Sequence, residues 1–102
     1  MSSTQIVYTF GQNTAVSSST AEILAAGLAT DAISIKVRAL STNTGLIYVG
    51  LTGVTSSTGF ELSAGDTWVS IGDYRNRLDA SSIFVIASVD GEDICYEVAE
   101  AV

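Results

Sequence analysis

Histidine is missing from this chain, and most of the familiar reaction sites go with it. Without an imidazole there is no Ser-His-Asp arrangement, little prospect of a zinc site and no side chain that titrates unaided near neutral pH. Cysteine occurs once, at Cys95, which excludes an intramolecular disulfide framework and a cysteine-based zinc site. Four residues are basic against eleven acidic, a net charge of −7. A nucleic-acid binder needs Lys and Arg to displace counterions from phosphate, and an anionic membrane repels such a chain. Charge of either sign is sparse, at 15% against roughly 25% in an average globular domain. No apolar run approaches the about 18 residues of a spanning helix, and Met1-Ser2-Ser3-Thr4-Gln5 lacks the basic start of a signal peptide. The chain is expected to be made and kept in a cytoplasm until it is used. Proline is absent too, so the turns are written in Gly, Asn, Asp, Ser and Thr.

What is present reads as β structure. With 102 residues the chain is expected to form one domain with one core, and little interior for a deep substrate pocket. Its hydrophobic fraction is 47%, so either one face is buried on a partner or Ser and Thr carry the solubility. The central stretch, residues 46–71, reads as strand, Gly-rich corner, short strand, turn at Ala64-Gly65-Asp66, and strand again with Trp68 in it. Before it, Ile6, Tyr8 and Phe10 alternate against Val7 and Thr9, with a turn expected at Gly11-Gln12-Asn13. Residues 21–29 fit either a short helix capped by Ser19 or Thr20, or a loop crossing the sandwich. The loop is preferred because Gly27 and the alanines pack little, so residues 1–30 are expected to be an arm or an irregular crossing.

Residues 31–40 are the clearest strand, with Ile33, Ile35, Val37 and Ala39 facing one way. Ser41-Thr42-Asn43-Thr44-Gly45 is expected to close a hairpin onto Leu46, and residues 72–79 to cross between sheets. Residues 83–89 are apolar on both faces, and Asp90-Gly91 is the strongest short hairpin signal, leading into residues 94–98. The pattern predicts an all-β chain: one antiparallel β-sandwich or jelly-roll-like domain of about seven short strands. Ile33, Ile35, Val37, Val49, Val85 and Ile94 are its expected core.

Candidates for chemistry are few. Paired carboxylates could serve a glycosidase, but Asp31, Asp66, Asp73, Asp79, Asp90, Glu92 and Asp93 sit at turn positions and read as solvated turn acids. Asp90-Gly91-Glu92-Asp93 lacks the ligand spacing of a calcium loop. No cofactor or metal is expected. Cys95 has no base near it in sequence and reads as a small packed or half-exposed residue. The residues singled out are candidates for an interface. Phe84 and Ile86 are one set, since burying such a side chain is worth roughly 1.5–3 kcal/mol and leaving both in water is unfavourable. Arg75 and Arg77, flanking Asn76, are loop arginines that suit docking or local ion pairs. Tyr48 and Trp68 are core residues, or anchors if they reach the surface. Self-association is favoured by the pattern.

A composite of motifs adds a resemblance. Val37-Arg38-Ala39-Leu40-Ser41-Thr42-Asn43-Thr44-Gly45, Ile47-Tyr48-Val49-Gly50, Gly59-Phe60-Glu61-Leu62, Ala64-Gly65-Asp66 and Phe84-Val85-Ile86-Ala87-Ser88-Val89-Asp90-Gly91 resemble small structural virion proteins of tailed bacteriophages. Ala64 stands where such turns often carry proline, and the N-terminal third has no matching motif. The resemblance implies a non-enzymatic head decoration or cement protein on the virion surface. Its partner would be the lattice of the major capsid protein, and a homotrimer the first oligomer to test. Two other readings stand beside it: a tail or fibre module binding a host glycan, with exposed Tyr48 or Trp68 stacking on sugar rings, and, last, a small enzyme.

Overall fold

Alternation along residues 32–39 sets the geometry of the molecule. In that strand Ile35, Val37 and Ala39 are buried while Lys36 and Arg38 are exposed, as a pleated ribbon with one face on a core requires. The computed structural model describes residues 5–101. The part of the expected N-terminal arm before residue 5 lies outside the described residues. Eight strands follow one another: β1 (Ile6–Val16), β2 (Glu22–Ile23), β3 (Ala32–Ala39), β4 (Ile47–Gly50), β5 (Phe60–Leu62), β6 (Thr67–Ile71), β7 (Phe84–Ala87) and β8 (Glu92–Ala101). A single 3-10 turn, Ala80–Ser82, precedes β7, and no α-helix occurs among the described residues.

The strands form two four-stranded antiparallel sheets, a first in the order β1-β8-β3-β6 and a second in the order β2-β7-β4-β5. This is the jelly roll, two interleaved Greek keys pressed face to face. Of all consecutive strands only β4 and β5 pair with each other; every other connection carries the chain from one sheet to the other. The turns at residues 41–45 and 90–91 stand where the sequence places them, but neither closes a hairpin. Each is a crossover, because β3 and β4, and likewise β7 and β8, lie in opposite sheets. Residues 72–79 do cross between sheets, from β6 to β7.

Three local expectations are corrected. Ile33 is not a core residue: a bulge between Ala32 and Ser34 in the pairing with β8 takes it off the inner face, and Ala32 is buried in its place. The expected turn at Gly11-Gln12-Asn13 is strand, since β8 runs long enough to pair with these residues through Asn13↔Ile94. Gly11 is there for close approach, because a Cβ would overlap the Tyr96 ring lying across it. The loop preferred for residues 21–29 contains a short strand, β2: Glu22 and Ile23 pair with Val85 and Phe84, and Leu24 is buried just beyond.

The core lies between the sheets, with Val16, Ile35, Val37, Ile94 and Val98 from the first facing Ile47, Val49, Leu62 and Val85 from the second. Trp68, Leu78 and Tyr96 pack against its rim. Glu92 stitches one end. It is not a solvated turn acid but is 7% exposed, and its carboxylate accepts hydrogen bonds from the Thr44 N–H, the Thr44 hydroxyl and the Gly45 N–H. Beside it the Asn43 side-chain amide donates to the Asp93 carbonyl and accepts from the Asp93 N–H, standing in for a strand residue.

Candidate docking surface

The outer face of the first sheet is built from three rungs, each crossing all four strands. Tyr8, Ala99, Ser34 and Ile71 make one; Phe10, Glu97, Lys36 and Val69 the next; Gln12, Cys95, Arg38 and Thr67 the third. Their neighbours in sequence, among them Val37, Trp68, Tyr96 and Val98, turn inward to the core. The alternation that fills the core therefore also sends Tyr8, Phe10, Val69 and Ile71 outward. All four are exposed, Phe10 by 70% and Ile71 by 78%. The Tyr8 and Phe10 rings stack on one another with centroids 6.0 Å apart. Ala99, between Tyr8 and Ser34, is buried without belonging to the core.

An open groove of about 450 Å³ runs over the second and third rungs, walled by Phe10 and Gln12 and floored by Cys95, Glu97, Lys36 and Arg38. Lys36 and Arg38 are two of the chain's four basic residues. The Lys36 ammonium lies 4.0 Å from the Glu97 carboxylate, a long and half-exposed ion pair of small energetic weight. Arg38 has no ion pair or side-chain hydrogen bond among the described residues. Cys95 is half-buried between Gln12 and Arg38. An aromatic wall, a free guanidinium, an amide and a hydroxyl can hold a flat apolar or hydrogen-bonding surface.

The second sheet treats its outer face differently. Tyr48 points outward there, yet is only 8% exposed, because residues 51–59 fold back over it. Val54 is the buried plug of that loop, and Gly59 passes so close that a Cβ would stand 2.7 Å from the Tyr48 Cβ. Thr55 holds the loop closed, its carbonyl accepting from the Thr58 and Gly59 N–H groups and its N–H donating to the Thr58 hydroxyl. A cleft of about 440 Å³ remains beside it, lined by Tyr48, Ile86, Ser18, Thr55, Ser56 and Ser88.

The six residues singled out from sequence are thus divided. Tyr48, Phe84 and Ile86 share the outer face of the second sheet, with Tyr48 opposite Ile86, and both Phe84 and Ile86 are half-buried. Trp68 faces the core and is no surface anchor. Arg75 and Arg77 lie in the loop of residues 72–79. There Arg77 donates to the carbonyls of Tyr74 and Asp31, and its guanidinium sits 5.5 Å from the centre of the Tyr74 ring. Asp73 shapes this loop. Hydrogen bonds from the Asn76 and Arg75 N–H groups hold its carboxyl below the usual carboxylate range.

Sequence reading passed over the rungs of the first sheet. Alternation gave Tyr8 and Phe10 a common face but not which face was outward. Around Trp68, apolar residues of both parities hid the outward pair Val69 and Ile71. Compared with known proteins, the chain has no significant match to a family model, a curated protein or a solved structure.

Proposed function

We propose that this chain is a non-enzymatic structural protein of a phage virion, made in the host cytoplasm, that decorates the assembled head shell and stabilises it. The observation that carries the reading is the outer face of the first sheet, where Tyr8 and Phe10 on β1 and Val69 and Ile71 on β6, its two outer strands, stand in water on either side of Ala99, Ser34, Glu97 and Lys36. Apolar residues scattered singly are ordinary on a surface, whereas two exposed apolar pairs sharing one sheet face, with polar groups between them, suit a place of contact. The motifs at residues 37–66 and 84–91 support the phage assignment, and the lattice of the major capsid protein is the partner. The jelly roll is compatible with it, being used by capsid and lectin domains alike, but a fold alone carries no function.

Subunits that bind an assembled shell and not its separated parts stabilise it by mass action, by about 2.7 kcal/mol at a hundredfold excess over Kd. The test is to mix the protein with undecorated heads, pellet them and melt both samples. Stoichiometric binding and a raised melting temperature are expected. Ile71→Ser, or a bulky maleimide on Cys95, should weaken binding without unfolding the protein. A second reading is favoured by the groove itself. Phe10 beside Gln12, Arg38 and Thr67 offers a sugar ring a stacking wall with hydrogen-bonding groups around it, the role first expected of Tyr48 or Trp68. No binding to heads, with binding to a host-surface glycan, would establish that reading in place of decoration.

A further inference from the structure

Strand β1 is an outer strand of the first sheet, and its far side pairs with no strand among the described residues. It is eleven residues long and contains no charged residue. The other outer strands are shorter: five residues in β6, two in β2, and three in β5, which carries Glu61. A sheet edge is a row of unpaired N–H and C=O groups, and proteins blunt it with shortness, charge, proline or a bulge. In β1 the one irregularity lies beyond Asn13, so residues 6–13 form a regular ladder with β8 and leave a regular edge on the other side. The strand is also open on both faces, with Tyr8 and Phe10 exposed on the outer one and Val7 43% exposed on the inner one.

We propose that two copies of this chain join β1 to β1, antiparallel about a two-fold axis, making one eight-stranded sheet from two first sheets. The occupant follows from charge and geometry. Each copy carries −7, so approach is least opposed where the meeting strands hold no acid. A strand paired with itself about a two-fold is self-complementary, each exposed donor of one copy meeting an acceptor of the other. With the axis near Thr9, Tyr8 of one copy stands opposite Phe10 of the other and Phe10 opposite Tyr8. The ring pair already stacked within one strand becomes a set of four. The contact is an edge about 27 Å long at about 3.4 Å per residue, small enough that pairing depends on concentration. It does not rest on the decoration reading, although it would join two docking faces into one.

Sedimentation velocity across a concentration series tests it, with hydrogen exchange on dilute and concentrated samples. The expected result is a species of twice the chain mass that gains population with concentration and with salt, as screening relieves repulsion. Slowed exchange should be confined to residues 6–13. Phe10→Lys and Val7→Lys alter exposed positions and should leave melting of the dilute protein unchanged, yet weaken pairing at least about tenfold. Leu51→Lys, also at an exposed position but away from β1, should change neither melting nor pairing. A monomer at every concentration overturns the proposal. So does any oligomer, a trimer included, whose newly protected amides lie outside β1.

Discussion

Glu92 differs from the aspartates that cap backbone N–H groups in water. Asp66 caps the Ser63 N–H, Asp79 the Ser81 N–H and Asp90 the Ser18 N–H, all at exposed sites. Glu92 does the same kind of work from a buried position, its carboxylate accepting from the backbone N–H groups of Thr44 and Gly45. Glu92→Ala should therefore lower the stability of the fold by about 1–3 kcal/mol, read from urea denaturation, whereas Glu61→Ala should change it little. Asp73 gives a pH signature. Its folded carboxyl is held below the ordinary value, so its contribution is complete above the unfolded aspartate pKa of about 4 and is lost as pH falls through the folded value. The melting temperatures of the native chain and of Asp73→Asn should differ at neutral pH and converge in strong acid. A gap that widens on acidification would reverse the assignment.

At the scale of elements, the two sheets solve the same problem in different ways. Both have apolar side chains on their outer faces. The second sheet covers Tyr48 with its own β4–β5 connection, while the first leaves Tyr8, Phe10, Val69 and Ile71 in water. Val54 is what seats that connection. Val54→Asp would bury a charge with no partner, so the loop should lift from Tyr48 while the core between the sheets holds. Limited proteolysis should then cut the variant within residues 51–59 and leave the native loop intact. Equal resistance in both would mean that the threonine hydrogen bonds alone hold the loop down. The bulge in β3 acts on the same scale. A strand with one extra residue cannot keep a single parity throughout, so Ile33 and Ile35 part company at Ser34.

At the scale of the molecule the first and last strands are partners, Ile6 opposite Ala101, and among the described residues only one pair of strands is joined by a hairpin. Almost every ladder must close a long loop before its contacts form, which places folding in the slow range of two-state domains, about milliseconds to seconds. Since the chain has no proline, refolding should lack the minor phase of about 10–100 s that X-Pro isomerisation produces. Stopped-flow Trp68 fluorescence with a manual-mixing control checks both. Complete recovery within seconds is expected, and a microsecond phase carrying the full amplitude would contradict the topology.

The sequence by itself determined the local content of this fold. β-branched and aromatic runs with period two make strands wherever one face is buried, and Gly, Asn and Asp between them make turns. So β3, β4, β6, β7 and β8 and the turns at residues 41–45, 64–66 and 90–91 were all legible. Side chains with one strongly apolar parity were placed correctly, as at Ile35, Val37, Val49, Val85 and Ile94. Tertiary structure decided what lay across from what. A turn signal states that the chain bends, not whether the next strand lies beside the last or opposite it, so two apparent hairpins are crossovers between sheets. The short strand β2, Glu22–Ile23, exists only because the edge of β7 is there to receive it. For the same reason the candidate surface was hidden. Tyr48 and Ile71 are both outward-facing apolar residues, and only the path of residues 51–59 over one sheet and not the other leaves the first covered and the second in water.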